Sequence, residues 1–128
     1  TSLTNAGGWD NSYMRKTFLG NTGTPTSPAA NTFLAALPAD LRAEMKSCIK
    51  YSDNTGEGPN SASEVTATTD YLFLLSEFEI SGAISFANSA ERNSQAQYDY
   101  FKAANSKIAG SWASPSTAIN WWLRSVNG

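Results

Sequence analysis

Short blocks of hydrophobic residues alternate with long polar stretches along this chain. Helical spacing of apolar residues predicts helices over Tyr13 to Leu19 and over Asn93 to Lys107. Two more short helices are predicted over Phe33 to Leu37, with Asn31 as the N-cap, and over Ala39 to Lys46. Ser, Thr, Asn, Gly and Pro fill the stretches between them, which is typical of surface loops. The pattern therefore predicts an α+β protein with short helices, few strands and long polar loops.

Three segments have the composition of strands. Ser47 to Tyr51 alternates apolar with polar residues, and Asp70 to Leu75 is a continuous apolar run suited to a strand buried on both faces. The third is Trp121-Trp122-Leu123, in which the two Trp side chains would point to opposite faces. Two other strands can hardly cover both faces and both edges of such a strand. We therefore expect a neighbouring chain or a missing C-terminal segment to complete the sheet.

A helix start is encoded directly after the second of these strands. Ser76 and Glu79 have the spacing of a capping box, and Gly82 would end the helix. This gives both residues a structural role. Arg124 lies between apolar residues and has two interpretations: a solvated edge position, or a buried structural residue paired with Glu79 or Asp70.

Composition restricts the classes of partner. The chain has 128 residues, which predicts a single domain over residues 1–128, with 41% hydrophobic residues, 16% charged residues and a net charge of −2. A slightly negative net charge does not attract a phosphate backbone, so nucleic acid is not expected as a partner. No apolar run reaches the roughly 18 residues of a membrane span, so membrane insertion is not expected.

Cysteine and histidine usage restricts the chemistry. The chain contains no His, which excludes Ser-His-Asp and Cys-His catalysis and the usual zinc sites. Cys48 is the single cysteine and is interpreted as a buried structural thiol. The Gly-rich segment from Asp53 to Gly58 lacks the acidic spacing of a calcium loop and is interpreted as a polar turn. We expect no metal and no cofactor.

The four tryptophans divide into two pairs. Trp9 follows a Gly-Gly turn and, with Trp121, is expected in the core. Trp112 lies in a Ser-rich loop, and the burial of Trp122 depends on what covers the second sheet face. Exposed Trp stacks on sugars and anchors protein interfaces, so Trp112 and Trp122 are the candidate binding residues.

Three stretches together resemble a known family. They are Gly8-Trp9-Asp10-Asn11-Ser12-Tyr13-Met14-Arg15, then Asp70 to Glu79 with its Leu-Leu-Ser-x-x-Glu ending, then Asn120-Trp121-Trp122-Leu123-Arg124-Ser125. In this order they resemble a widespread bacterial and phage family of unassigned function. That family is similar to C-type-lectin-like domains, among them the variable proteins of diversity-generating retroelements and, more remotely, the formylglycine-generating enzymes. The Trp-Trp-Leu-Arg-Ser run is the most specific part.

The resemblance implies a C-type-lectin-like fold with short helices around a small mixed or antiparallel sheet. In the family, further strands follow the Trp-Trp-Leu-Arg-Ser run, whereas this chain stops at Gly128. The resemblance therefore implies that residues 1–128 are the N-terminal scaffold part of such a domain. The catalytic cysteines and metal site of the formylglycine enzymes have no counterpart here.

The sequence is compatible with three functions. The first is a non-enzymatic, adhesin-like module on a phage tail or bacterial cell surface, which binds a protein or glycan receptor outside the cell. The second is a structural subunit of a phage or surface assembly. The third is a glycan-processing enzyme that uses two carboxylates. Its candidate acids are Asp70, Glu77, Glu79 and Glu91. The first is preferred, with no catalytic residues assigned.

Overall fold

A computed structural model gives the fold of the chain, and it describes residues 7–54, 61–103, 109–111, 113, 117–119 and 122–125. The protein is α+β, as predicted, with short helices and two small antiparallel sheets. The α-helices are α1 (Gly8–Asn11), α2 (Phe33–Ala36), α3 (Ala39–Glu44) and α4 (Glu77–Ser81). The strands are β1 (Cys48–Asp53), β2 (Val65–Asp70), β3 (Ala109–Gly110) and β4 (Ala118–Ile119). A π-helical turn covers Met14–Phe18, and 3-10 turns cover Ala62–Glu64, Ser89–Ser94 and Asp99–Lys102.

The β1–β2 hairpin is the centre of the fold. The two strands are antiparallel, with Cys48 opposite Asp70 at one end and Asp53 opposite Val65 at the other. Its inward face is polar: Lys50, Ser52, Thr68 and Asp70 are all buried. Its outward face carries Ile49, which is 62% exposed. This arrangement inverts the usual antiparallel sheet, in which the apolar side chains face the core.

The first helix packs against the hairpin at a glycine. Gly8 has a φ of 47°, and a Cβ added there would lie 1.8 Å from the backbone oxygen of Asp53. The close approach brings Trp9 into the interior, where it is 2% exposed. Its indole Nε1 donates to Asp70 Oδ2 at 2.7 Å. The prediction that Trp9 lies in the core is confirmed.

The predicted capping box is also confirmed. Ser76 Oγ accepts from the backbone N–H of Glu79 at 3.1 Å, and Glu79 Oε2 accepts from the backbone N–H of Ser76 at 3.0 Å. Two N–H groups of the first turn of α4 are satisfied in this way. Gly82 follows the helix with a φ of 71°, a left-handed conformation that favours glycine.

The predicted strand from Asp70 to Leu75 is wrong. Asp70 is the last residue of β2, whose Thr-rich sequence supplies the strand instead, and residues 71–75 are irregular. Side chains satisfy the backbone there. Asn21 Oδ1 accepts from Tyr71 N–H, and Asn21 Nδ2 donates to the oxygen of Leu72. With these groups occupied, the ladder does not continue.

The predicted helix from Asn93 to Lys107 is wrong over residues 95–98, which are irregular between two 3-10 turns; residues 104–108 lie outside the described part. The reason is a set of long-range hydrogen bonds to this stretch. Gln95 Nε2 donates to the oxygen of Tyr51, and the Tyr98 N–H donates to the oxygen of Glu79. These bonds hold the backbone against β1 and α4 in an open conformation.

Three smaller predictions are corrected. Trp122 and Leu123 are not in a strand, because the chain there is fixed by the backbone bond from Arg124 N–H to the oxygen of Leu75; Trp121 lies outside the described residues. Cys48 is exposed, since it lies at the open end of the hairpin. Thr32, and not Asn31, caps α2 by accepting from the N–H of Ala35.

The interior of the described part is more polar than apolar. Six buried residues are hydrophobic: Trp9, Leu19, Leu34, Ile80, Ala87 and Phe101. The buried polar or charged residues are Thr32, Lys50, Ser52, Asp53, Thr68, Asp70, Ser76, Glu79, Asn88, Glu91 and Arg124. Burial of so many polar groups is possible only when each finds a hydrogen-bond partner. Within the described ranges, no helix is long and apolar enough to cross a membrane.

Candidate functional site

Arg124 is at the centre of a buried polar cluster. Its Nη1 donates to Glu79 Oε2 at 2.5 Å and to the oxygen of Leu74 at 2.7 Å. Its Nη2 donates to Gln95 Oε1 at 3.0 Å, and its Nε to Ser52 Oγ at 3.2 Å. The guanidinium is 0% exposed. The interpretation of Arg124 as a buried residue paired with Glu79 is confirmed, and the solvated edge position is excluded.

Glu79 is shared between two cations. Its Oε1 accepts from Lys50 Nζ at 2.8 Å, while its Oε2 faces Arg124. Burial raises the pKa of Glu79, but the hydrogen bond and positive charge of Arg124, and the hydrogen bonds from Lys50 and the Ser76 N–H, outweigh burial. The pKa of Glu79 therefore lies below its usual value. A carboxylate held ionised in this way is a poor proton donor at neutral pH.

Lys50 is enclosed by aromatic rings as well as by the carboxylate. Its Nζ lies 3.8 Å from the centroid of the Phe73 ring and donates to the hydroxyl of Tyr98 at 2.7 Å. The ammonium thus has a cation–π contact and two hydrogen bonds. Sequence inspection missed this lysine, because alternation places Lys50 and Ser52 on one face of β1 without showing which face is buried.

Glu91 forms a second buried carboxylate site beside the first. It is 0% exposed, and it accepts from the backbone N–H of Asp53 at 2.8 Å and from Ser125 Oγ at 2.7 Å. Burial raises the pKa of Glu91, and the nearby Asp53 carboxylate raises it further. The hydrogen bonds from Ser125 and Asp53 N–H and the charge of Arg124 oppose this only in part. Its two hydrogen bonds join β1 to the segment that carries Arg124.

The other two candidate acids are also engaged. Asp70 accepts from Trp9 at 2.7 Å, from Arg15 at 2.8 Å and from Thr68 at 2.8 Å. Glu77 accepts from three consecutive backbone N–H groups, those of residues 85, 86 and 87. Asp70, Glu77, Glu79 and Glu91 thus all hold the fold together. In the part of the chain that the structure describes, no group of three or more Cys, Asp and Glu side chains is arranged to hold a metal ion.

Trp122 is exposed immediately before this anchored segment. Its side chain is 82% exposed, whereas Arg124, two residues later, is 2% exposed. Ser125 is fixed as well, because its Oγ accepts from the Glu77 N–H and donates to Glu91. The structure therefore holds an indole in solvent at the end of a firmly bound stretch of chain. Trp112, the other candidate binding residue, lies outside the described residues.

A shallow cleft of about 360 Å³ opens between β1 and residues 94–99. Its lining includes Lys50, Glu79, Gln95, Gln97 and Tyr98. Most of these polar groups already bond within the protein: Gln97 Nε2, for example, donates to the oxygen of Ile80 at 2.8 Å. Sequence inspection missed Gln95 as a partner of Arg124, and no local signal identifies it, because the contact depends on the path of the chain between them.

Comparison with known proteins gives one match. A family model described as a domain of unknown function (DUF6273) matches residues 1–128. No curated protein matches the chain, and no solved structure does.

Proposed function

The chain belongs to the DUF6273 family, and we propose that it is a non-enzymatic module that binds a protein or glycan receptor through Trp122. The observation that carries this proposal is the contrast between an indole that is 82% exposed and the buried anchor that follows it. An indole combines a large apolar ring with a polar N–H group, so an exposed Trp can both stack on a partner and donate a hydrogen bond to it. Trp is also the residue type most enriched among the dominant contacts of protein interfaces.

The anchor gives Trp122 an advantage as a recognition residue. Arg124 and Ser125 together bond to β1, to the start of α4 and to Glu91. Because the backbone beside Trp122 is already ordered, binding loses little conformational entropy there. The Arg124 cluster is thus a support for the surface and does not itself contact the receptor.

The state of the carboxylates favours binding over glycan hydrolysis. A carboxylate-based glycosidase needs one acid with a raised pKa and a second free carboxylate across an open cleft. Glu79 is held ionised between two cations, and Glu91, whose pKa is raised, is 0% exposed. Glu79 lines the cleft but is already paired with Lys50 and Arg124, and Glu91 is not part of the cleft lining.

The finer parts of the proposal rest on the resemblance and the composition. They are a C-type-lectin-like fold, a place on a bacterial cell surface or phage virion, and a contribution to binding from Trp112. A surface rich in hydroxyl and amide groups suits a protein outside the cell. A structural role in a phage or surface assembly is the second candidate, and β2 favours it, because among the described residues β2 pairs with β1 alone and leaves its other edge open.

The test compares two exposed aromatics. The chain is labelled at its N-terminus and its binding to bacterial cells and to an array of bacterial glycans is measured for wild type, Trp122→Ala and Phe86→Ala. Phe86 is 74% exposed, so it is a matched control for loss of exposed aromatic surface. We expect Trp122→Ala to weaken binding about tenfold or more, while Phe86→Ala retains it.

Equal binding by the three proteins would refute the role of Trp122. Treatment of the cells with protease or with periodate before the assay separates the receptor classes. Loss after protease alone indicates a protein receptor, and loss after periodate alone indicates a glycan.

A further inference from the structure

Among the described residues, strand β2 has a strand neighbour on one side only, since the sheet order is β1–β2. The backbone N–H of Asn54 donates to the oxygen of Glu64 at 2.9 Å. This bond shows which opposed residues of the two strands are hydrogen-bonded to each other, because such pairs alternate along an antiparallel ladder. Even-numbered residues of β2 therefore bond to β1. The N–H and C=O groups of Val65, Ala67 and Thr69 point away from it.

The two ends of this outer edge are occupied within the chain. The Val65 N–H donates to the oxygen of Ala62, and beyond the strand the Tyr71 N–H donates to Asn21 Oδ1. Between them Ala67 and Thr69 are exposed. No hydrogen bond from any residue that the structure describes reaches their outward N–H and C=O groups.

The outer edge of β1, in contrast to that of β2, is covered by other parts of the chain. The oxygen of Tyr51 accepts from Gln95 Nε2, and the N–H of Asp53 donates to Glu91. Natural proteins protect edge strands with lysine, proline, bulges or a covering segment. The sequence Val65-Thr66-Ala67-Thr68-Thr69 contains no charge and no proline, and it pairs with β1 without a bulge. Its β-branched residues favour a strand.

We propose that β2 pairs antiparallel with β2 of a second copy of this chain, about a two-fold axis at Thr68. Ala67 of each copy then lies opposite Thr69 of the other. Because both residues direct their N–H and C=O groups outward, the two pairs form four hydrogen bonds. The two hairpins become one four-stranded sheet, and the contact is isologous and closed.

The chemistry of the edge favours a second copy as the occupant. The edge is self-complementary: uncharged, small and β-branched residues meet the same residues in reverse order. A net charge of −2 opposes association only weakly. An axis at Ala67 would place Glu64 opposite Asp70, two acids, whereas the axis at Thr68 avoids that pair. Strand edges alone bury less area than a standard interface, so the dimer is expected to be concentration-dependent.

Register-specific disulfide trapping tests the proposal. In a Cys48→Ser background, Ala67→Cys and Thr69→Cys variants are mixed in equal amounts under mild oxidation, and the products are weighed by mass spectrometry. Opposed residues of a hydrogen-bonded pair have Cα atoms about 5.5 Å apart, within the range that a disulfide spans. We expect the mixed dimer to form about tenfold faster than in the control, because pairing raises the effective concentration of the two thiols.

The control mixes Ile49→Cys with Thr69→Cys, since Ile49 is exposed on the same sheet face but lies one strand away from the axis. Equal rates in the two mixtures would overturn the proposal. Sedimentation over a concentration series is the second measurement. Wild type should shift towards a dimer, Ala67→Lys/Thr69→Lys should remain monomeric, and Ile49→Lys should behave as wild type.

A wild-type chain that stays monomeric at every concentration would also overturn the proposal and would leave the edge to a strand from a different protein. Trp122 takes no part in this contact. Trp122→Ala should therefore dimerise like wild type even if it loses its receptor, so the failure of either proposal is distinguishable from the failure of the other.

Discussion

At the scale of single residues, the pairing of Arg124 with Glu79 joins distant parts of the chain through one buried side chain. The guanidinium donates to a carboxylate, an amide, a hydroxyl and a backbone oxygen, and it is 0% exposed. A buried ion pair adds little net stability compared with apolar packing, but removal of one partner leaves an unpaired buried charge.

Arg124→Ala should therefore lower the free energy of unfolding by about 3 kcal/mol. Urea denaturation followed by tryptophan fluorescence measures the loss. Arg92→Ala is the matched control, because Arg92 is an exposed arginine whose Nε donates to the oxygen of Ser89. If the two variants were equally stable, the Arg124 cluster would contribute no more than a surface contact.

The two buried glutamates should depend on pH in opposite directions. The pKa of Glu79 is lowered in the fold, so its stabilising effect is present above the unfolded pKa and is lost as pH falls through the folded pKa. The pKa of Glu91 is raised, so its stabilising effect is fully present below the unfolded pKa and is lost as pH rises through the folded pKa.

At pH 7 we therefore expect Glu79→Gln to cost about 3 kcal/mol, and Glu91→Gln to leave the free energy of unfolding unchanged or higher. A glutamine at position 91 can still accept from the Asp53 N–H and donate to Ser125 Oγ. Denaturation curves from pH 4 to pH 8 measure both effects. A large loss for Glu91→Gln at pH 7 would show that its charge is needed.

At the scale of elements, structure that depends on neighbouring residues could be predicted from the sequence. Structure that depends on distant residues could not. The capping box of Ser76 and Glu79 is a three-residue spacing with its own chemistry, and it predicted the start of α4 correctly. The apolar run after Asp70 was misleading, because Asn21, about fifty residues away, occupies the backbone of Tyr71 and Leu72. Propensity cannot identify such a partner.

Removal of the Ser76 side chain tests how much the N-cap of α4 contributes to stability. Ser76→Ala should lower the free energy of unfolding by about 1 kcal/mol, because the Glu79 N–H loses its acceptor at the start of α4. Ser81→Ala, at the exposed end of the same helix, is the control. The midpoint of urea unfolding measures both. A smaller loss for Ser76→Ala than for Ser81→Ala would contradict the role of the cap.

At the scale of the whole molecule, the sequence predicted the α+β class, the burial of Trp9 and a structural Arg124 paired with Glu79 or Asp70, of which Glu79 is the partner. It did not predict that the hairpin turns its polar face inward. Alternation along β1 shows that Lys50 and Ser52 share a face, but it does not show which face is buried. That choice depends on Arg124 and Gln95, which reach β1 from distant parts of the chain.

The polar interior has a consequence for the response of the protein to temperature. Exposure of apolar surface raises the heat capacity on unfolding, whereas exposure of polar surface lowers it. Among the described residues more polar than apolar ones are buried, so we expect the protein to unfold with a heat-capacity change below the usual ~12–15 cal/mol/K per residue. Its stability curve should be correspondingly flat, so cooling should weaken this fold less than a fold of the same length with an aliphatic core. Calorimetry at several pH values measures this change as the slope of unfolding enthalpy against melting temperature.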